Sequence, residues 1–293
     1  MGCLYGGLLA EKGNDVTFID VDDATIRKIN ETGVTIETKS SKRCIPAKAF
    51  KAEDVNTPPD IIMLFTKTIY SGAALDSVKH ILNESVTVLT IQNGLGNKEL
   101  IENYVAEKQI IIGMTGFPAD LHGPADISAF GESYTTIVSA NGEVTDTVRV
   151  LADKMSEAGL NCSATPEAIK SIWEKVCFNS AINPLCAVTG LTVGEVGETG
   201  GRQLAYDLVN ECVSVAHAHG VKVEPEKVIN MLDHAFSNHY NHKPSMLQDM
   251  LNHRQTEIDA LNGQIILKGS QVSIETPINA VMFNLIKMKQ GKF

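Results

Sequence analysis

The sequence has 293 residues, 43% of them hydrophobic and 20% charged, which is ordinary for a globular protein of two domains. A formal net charge of −10 argues against nucleic acids and anionic membranes as partners, because both require a basic surface. No apolar run reaches the roughly 18 residues that span a bilayer. The six cysteines lack a metal-binding spacing and the first residues fit a signal peptide poorly, so a cytoplasmic protein is expected.

The first half of the chain alternates β-branched runs with helical patterns, which is typical of a parallel sheet covered by helices. The opening residues predict a short helix that ends at Gly13. Further helices are predicted at 23–31, 72–82 and 144–158, the first of these ended by Gly33. Predicted strands lie at 15–19, 61–66, 86–91, 110–114 and 135–138.

From Pro166 onward the hydrophobic period changes to 3.6 residues, and strand signals nearly disappear. Ile169, Ile172, Trp173 and Val176 fall on one helical stripe, which predicts a helix with a buried face. Further helices are predicted at 201–219, 225–236, 246–251, 256–268 and 278–289. We therefore expect an all-helical domain over residues 166–293.

The N-terminal residues contain part of the pattern of a dinucleotide-binding Rossmann unit. Gly2 fits the third glycine of G-x-G-x-x-G, and Asp20 ends the next strand, where an acid binds the ribose hydroxyls. The strand and two glycines that would precede Met1 are not in the sequence, so either Met1 is an internal start or the native chain is roughly ten residues longer. The expected fold is α/β: a Rossmann-like domain over 1–165, with its first strand missing from this sequence, before the helical domain.

Two residues bear on the choice of cofactor. The Asp20 carboxylate would hydrogen-bond a free 2′-hydroxyl but repel a 2′-phosphate. Lys67 follows the predicted strand 61–66 and could contact an adenosine phosphate. The alternatives are a solvated acidic turn at Asp20 and a solvated lysine at a strand end.

Three polar blocks carry the candidate chemistry. The blocks are Gln92-Asn93-Gly94-Leu95-Gly96, then Trp173-Glu174-Lys175 running on to Asn179 and Asn183-Pro184, then Ser245-Met246-Leu247-Gln248-Asp249 with Thr256-Glu257 and Asn262-Gly263 behind it. Lys175, Asn179 and Asn183 recur every four residues and so share one helical face. In order and spacing the blocks, together with Gly2 and the closing Thr276-Pro277-Ile278-Asn279, resemble the ketopantoate reductase (2-dehydropantoate 2-reductase) family.

The resemblance implies reduction of ketopantoate to pantoate by hydride transfer from NAD(P)H, a step of pantothenate biosynthesis. It implies NADP(H) as cofactor, while Asp20 leaves NAD(H) open. Lys175 would be the general acid, and Asn179 and Asn183 would contact the substrate. Glu257 would bind the substrate hydroxyl and hold Lys175, and Ser245 would bind the carboxylate of this small 2-keto acid.

The resemblance also implies a set of cofactor-binding residues. Asn93 would lie near the nicotinamide, and Gly94 and Gly96 would let the backbone approach the cofactor. The full set implied for the cofactor is Gly2, Asp20, Lys67, Asn93, Gly94, Gly96 and Glu257.

Structural explanations exist for the single residues of these blocks. Lys175 could be a solvated lysine, Asn183 before Pro184 could end a helix, and Glu257 could be a helix-start acid. Family members often have one more substrate-contacting asparagine, where this chain reads Leu191-Thr192-Val193-Gly194-Glu195.

Two rival functions and two further questions stay open at this stage. The rivals are a related hydroxy-acid dehydrogenase of the same architecture and a non-catalytic protein with an incomplete nucleotide site. His234, His239 and His242 match no metal-ligand spacing, so no metal is expected. The resemblance leaves a homodimer open.

Overall fold

The computed structural model describes all residues from 1 to 293 and divides them into two compact units. The first unit comprises Met1–Gln92 and Lys98–Ala168, and the second comprises Asn93–Asn97 and Ile169–Phe293. The first is built of strands and helices and the second is helical, which confirms the predicted Rossmann-like α/β and helical architecture. None of the helices combines the length and the apolar character that crossing a membrane requires.

The first unit contains eleven strands and the helices that cover them. The strands are β1 (Thr17–Ile19), β2 (Val34–Glu37), β3 (Lys42–Ile45), β4 (Lys48–Phe50), β5 (Ile61–Leu64), β6 (Thr87–Thr90), β7 (Ile110–Thr115), β8 (Asp120–Gly123), β9 (Asp126–Ser128), β10 (Thr135–Ser139) and β11 (Cys162–Ala164). The helices are α1 (Gly2–Glu11), α2 (Asp23–Thr32), α3 (Ser71–Ser77), α4 (Asn97–Ile101) and α5 (Asp146–Glu157).

These strands form three sheets. A five-stranded sheet has the order β11-β10-β7-β6-β5, in which β5, β6 and β7 run parallel and β10 is antiparallel to β7. A four-stranded sheet has the order β3-β2-β9-β8, and β1 pairs in parallel with β4 alone. The strand β5 is therefore an edge of its sheet, and Thr66 and Lys67 follow its carboxyl end.

Helix α1 is deeply buried in the first unit. Six consecutive residues, from Leu4 to Leu9, are buried, and Leu4 and Tyr5 are completely inaccessible. The Tyr5 hydroxyl makes a buried 2.7 Å hydrogen bond with Thr135 Oγ1 of β10. A helix that is apolar on all sides must be packed on all sides, and this explains why α1 has no polar face.

Local signals in the sequence define α2. The Asp22 carboxylate accepts a 2.9 Å hydrogen bond from the Thr25 amide at the start of the helix. At the other end Gly33 has φ +81° and donates its amide to the Ile29 carbonyl at 2.8 Å. This end matches the predicted stop signal.

The second unit is a bundle of helices around one main apolar core. The helices are α6 (Ala168–Thr189), α7 (Val193–Glu198), α8 (Gly201–Ala218), α9 (Pro225–Asn238), α10 (Ser245–Leu251), a π-helix (Asp259–Gly263), α11 (Gln264–Gln271) and α12 (Pro277–Gln290). The core joins Trp173, Val176 and Ile182 of α6 to Leu208 of α8 and Leu232 of α9. The predicted buried stripe of α6 is confirmed.

Several predicted elements differ from those observed. The five predicted strands are all present, but β2, β3, β4, β8, β9 and β11 and the short helices α4 and α7 were not predicted. The helix predicted at 72–82 is α3 followed by a 3₁₀ turn at Lys79–Ile81. The continuous helix predicted at 256–268 is wrong, because that segment begins as a π-helix at Asp259.

Gly33 should be the least replaceable of the glycines that end helices in the first unit. A Cβ at Gly33 would collide with the Ile45 carbonyl oxygen of β3, whereas a Cβ at Gly13, which has φ +82°, would meet nothing within 4 Å. Gly13→Ala should cost about 1 kcal/mol through the positive φ alone. Gly33→Ala should cost about 1–3 kcal/mol more, because the clash adds to the same strain. Urea unfolding followed by circular dichroism measures both, and equal losses would contradict the clash.

Candidate active site

The polar face of α6 carries three of the candidate residues. Lys175, Asn179 and Asn183 lie four residues apart within Ala168–Thr189, and Asn183 is buried while the other two are partly buried. Helix α6 continues through Pro184 to Thr189. The alternative in which Asn183 ends the helix is therefore wrong.

Lys175 does not have the surroundings of a solvated surface lysine. Desolvation of its ammonium group lowers the Lys175 pKa to about 8, and the negative charge of Glu257 acts in the opposite direction. The Glu257 carboxylate therefore lies within electrostatic reach of the ammonium. A lysine whose pKa is near neutrality can give up and regain a proton at physiological pH.

Asn93 joins this pair from a loop that belongs to the second unit. Its amide nitrogen Nδ2 donates to Glu257 Oε2 at 3.5 Å. The Leu95 amide two residues later donates to the Ala260 carbonyl at 2.8 Å, which fixes the loop on the π-helix. Three of the predicted residues, Lys175, Glu257 and Asn93, are thus brought together by interactions of the folded chain.

The glycines of this loop are explained by contacts within the chain. Gly94 has φ +90°, and a Cβ on it would collide with the Ala260 carbonyl. A Cβ on Gly96, which has φ +85°, would lie 2.8 Å from the Gln264 side chain. Close approach to the π-helix and to the start of α11 therefore requires small residues here.

Ser245 is exposed at the first position of α10. The next residue, Met246, is buried in a small cluster with Ala187 of α6 and with Ile258 and Leu261. Helix α10 thereby lies beside the last turn of α6 and beside the segment that follows Glu257. Ser245 is held near both segments by packing rather than by a hydrogen bond of its own hydroxyl.

The candidate cofactor residues of the first unit lie at the ends of three elements. Gly2 begins α1 and packs against Phe65, which follows β5, and Lys67 lies two residues further along. Burial raises the pKa of the Cys3 thiol, and the charge of Asp20 adds to this rise. Asp20, at the end of β1, is therefore within electrostatic reach of the first turn of α1.

Two other segments singled out in the sequence have structural roles. Glu195 Oε2 accepts the Thr192 amide at 2.7 Å at the start of α7, which is one of the two hydrogen bonds of a capping box. The His234 and His239 rings meet edge to face at 5.6 Å, and Asn238 Nδ2 lies 3.2 Å from His234 Nδ1.

Two buried amides of the second unit received no role from the sequence. Asn262 and Asn279 are completely inaccessible, and Asn262 Nδ2 donates to Asn279 Oδ1 at 2.9 Å. Both belong to motifs that were recognised, but nothing in their spacing showed that they meet. The one usable signal was Pro184 inside a helical pattern, because a proline there leaves a carbonyl that needs another donor.

Comparison with known proteins places the whole chain in one family. Residues 1–142 match the family model of ketopantoate reductase PanE/ApbA, and residues 167–290 match the model of its C-terminal domain. A 2-dehydropantoate 2-reductase of Pyrococcus horikoshii is 34% identical over 295 residues, covering 99% of this chain and 95% of the relative. One of Streptococcus pyogenes serotype M3 is 30% identical over 293 residues, with the same shares covered.

Solved structures of similar fold include enzymes with two different names. D-mandelate dehydrogenase with NADH and anilino(oxo)acetate matches with a TM-score of 0.93 and 29% identity, covering 100% of this chain and 96% of that one. The 2-dehydropantoate 2-reductase of Geobacter metallireducens matches with a TM-score of 0.90 and 25% identity, covering 98% and 96%. The sequence matches, which extend over both units, show that this chain belongs to the ketopantoate reductase family.

Proposed function

We propose that this protein reduces ketopantoate to pantoate with a nicotinamide cofactor, as its family does. The observation that carries the proposal is the meeting of Lys175, Glu257 and Asn93 beside the polar face of α6. A proton donor, a carboxylate that keeps it charged and several neutral amides are what ketone reduction requires from the protein. We also propose that residues 1–165 hold the dinucleotide and that residues 166–293 supply the substrate-binding and catalytic groups.

Lys175 acts as the general acid. A bound reduced nicotinamide would supply the hydride for the carbonyl carbon, and the carbonyl oxygen would then require a proton. The Lys175 ammonium donates that proton, and its lowered pKa makes the transfer easier than from an ordinary lysine. Glu257 opposes the desolvation, so that the charged form remains accessible near neutral pH.

Neutral groups orient the keto acid. Asn179 and Asn183 offer amide donors along the face of α6 without a charge that would compete with Lys175. Ser245, exposed at the start of α10, donates its hydroxyl to the substrate carboxylate. Asn93 Nδ2 donates to Glu257 Oε2, and the Glu257 carboxylate accepts a hydrogen bond from the substrate hydroxyl.

The first unit supplies features that suit a dinucleotide. Helix α1 has no side-chain cap and no acidic residue in its first turn, so its amides are available to a pyrophosphate. Asp20 accepts the Asp22 amide at 2.9 Å through one oxygen only, and its carboxylate can still accept from ribose hydroxyls. Lys51, which donates to the Val21 carbonyl of this segment, pairs with Asp23 at 2.7 Å. This acidic surrounding favours NADH over NADPH. Lys67 of the first unit, with Gly94 and Gly96 of the second unit, completes the proposed set.

A second candidate substrate is a bulkier 2-keto acid. The similarity to a D-mandelate dehydrogenase in complex with NADH favours this alternative. The stretch Leu191–Glu195 also lacks the additional asparagine that family members often have there. The assembly of two copies into a homodimer stays a prediction.

The function is tested by comparing kcat/KM for ketopantoate and for phenylglyoxylate, the keto acid of mandelate, each with NADH and with NADPH. Higher kcat/KM for ketopantoate supports the pantoate-forming activity. Higher kcat/KM for phenylglyoxylate would instead assign a hydroxy-acid dehydrogenase of the same family. A chain that binds NADH but turns over neither acid would contradict both.

The pH dependence of reduction should report Lys175. A general acid must be protonated, so kcat/KM should be full below the pKa and fall as pH rises through about 8. Glu257→Gln should move this fall to lower pH, because the carboxylate is what raises the Lys175 pKa. Lys175→Ala should lose kcat on the order of hundredfold.

Lys170→Ala is the matched control for Lys175→Ala on the same helix. Lys170 pairs with Glu224 at 2.6 Å and takes no part in the proposed chemistry, so this variant should keep both the rate and the pH of the fall. If Lys175→Ala kept near-normal turnover, Lys175 would not be the acid.

Asp20 should determine the choice between the two cofactors. Asp20→Ala removes a charge that repels a 2′-phosphate and a group that binds a 2′-hydroxyl, so the ratio of kcat/KM for NADPH to that for NADH should rise about tenfold or more. Asp15→Ala, an exposed residue ahead of β1, serves as the control and should leave the ratio unchanged. An unchanged ratio in Asp20→Ala would show that Asp20 does not contact the ribose.

A further inference from the structure

Helix α6 contains a proline at a position where the helix is buried. In an α-helix each amide donates to the carbonyl four residues earlier, and Pro184 has no amide hydrogen. The carbonyl of Ser180 therefore lacks its partner within the helix. Ser180 is completely inaccessible, so water cannot replace that partner, and a buried carbonyl requires a donor from elsewhere.

Asn262 supplies this donor. Its Nδ2 group donates to the Ser180 carbonyl at 2.9 Å and also to Asn279 Oδ1 at 2.9 Å, so both amide hydrogens are used. Its own oxygen, Oδ1, is buried and has no hydrogen-bond partner. Because both amide hydrogens of Asn262 are used and its oxygen has no partner, Asn262 serves here as a hydrogen-bond donor.

The orientation of both amides is fixed by groups that can only accept. The Ser180 carbonyl accepts from Asn262 at one end of the chain of hydrogen bonds. At the other end the Glu211 carboxylate of α8 accepts from Asn279 Nδ2 at 2.7 Å and from the Ile278 and Asn279 amides at 2.8 and 2.9 Å. A continuous path of hydrogen bonds thus joins α8, the start of α12, the π-helix and α6.

The segment that carries Asn262 also carries reacting groups. Glu257 lies two residues before the π-helix, and the π-type bond from the Gly263 amide to the Ile258 carbonyl, 3.0 Å long, spans the segment. The Ala260 carbonyl of the same π-helix accepts the Leu95 amide from the loop of Asn93. On the other side, Ser180 directly follows Asn179 and lies between Lys175 and Asn183 on α6.

We propose that Asn262 is a positioning residue of the reaction: by donating to the Ser180 carbonyl that Pro184 leaves unpaired, it fixes the segment of Glu257 against the helix of Lys175. This inference rests on the proposed function, because it assigns the purpose of the contact to keto acid reduction. Pro184 and Asn262 act together. The proline removes a hydrogen bond within α6, and the Asn262 amide replaces it with a hydrogen bond between two parts of the site.

The first test is a double-mutant cycle on stability. Asn262→Ala alone leaves the Ser180 carbonyl without a donor, whereas in Pro184→Ala the residue at 184 has an amide that can bond the carbonyl again. Asn262→Ala should therefore lower the urea midpoint clearly less in the Pro184→Ala background than in the wild type. Equal losses in both backgrounds would overturn the inference, whether or not the protein reduces a keto acid.

The second test separates positioning from mere stability. Asn262→Asp keeps the size of the side chain but removes both donors, and Asn262→Ala removes the side chain. Each should lower kcat on the order of tenfold to hundredfold at temperatures where it stays folded, because misplaced catalytic groups react slowly. Each should also shift the pH at which kcat/KM falls, because the separation of Glu257 and Lys175 would change.

The control for this test is Asn30→Ala in the first unit. The Asn30 side chain also makes two hydrogen bonds, to the Ala49 carbonyl at 2.8 Å and from the Ala49 amide at 2.9 Å. This variant should lose stability without a shift in the pH profile. If the Asn262 variants did the same, Asn262 would be structural only and the proposal would be wrong. If the wild type did not reduce a keto acid, the proposed function would be contradicted instead. The double-mutant cycle on stability would still show whether Asn262 and Pro184 are coupled.

Discussion

A buried backbone carbonyl must have a hydrogen-bond donor, and in the second unit this requirement determines how the site is held together. Helix α6 is long, Ser180 within it is inaccessible to water, and Pro184 removes one donor from the helix. The donor that replaces it comes from Asn262, more than eighty residues later in the chain. A local defect in one helix is thereby converted into a fixed relation between two segments that each carry candidate catalytic groups.

The π-helix is the element on which these relations converge. Asn262 of this helix donates to the Ser180 carbonyl of α6, and the Ala260 carbonyl accepts the amide of Leu95 from the Asn93 loop. Gly94 is small because that carbonyl approaches so closely. Single-turn π-helices are rare and often occur at functional sites, and here the π-helix begins two residues after Glu257.

Electrostatics gives the site its chemical character. Burial makes the Lys175 ammonium less stable than in water, and the Glu257 carboxylate compensates in part. These two opposing effects leave Lys175 with a pKa of about 8, which suits its proposed role as proton donor. In the first unit, the acidic residues after β1 have different partners. Asp22 caps α2, whereas Asp20 accepts the Asp22 amide through one oxygen and can also accept from a ligand.

The sequence determined those elements whose signals are local. The β-branched runs of β5, β6, β7 and β10, the glycine stop of α2 and the stripe of α6 are all properties of neighbouring residues, and the structure confirms them. The family and the candidate residues also followed from motifs whose order is visible in one chain. The strands β3 and β8 were missed because they are four residues long and largely polar, and they become strands only through partners in a sheet.

Tertiary structure alone decided how the motifs meet. The hydrophobic pattern of residues 256–268 does not reveal a π-helix. The wider turn displaces that pattern only beyond the end of the five-residue π-helix. The pairing of Asn262 with Ser180, and of Asn93 with Glu257, joins residues 82 and 164 positions apart. Such contacts depend on how whole helices pack. A sequence therefore shows which groups are present, and the packed core determines which carbonyl lacks a donor and which amide reaches it.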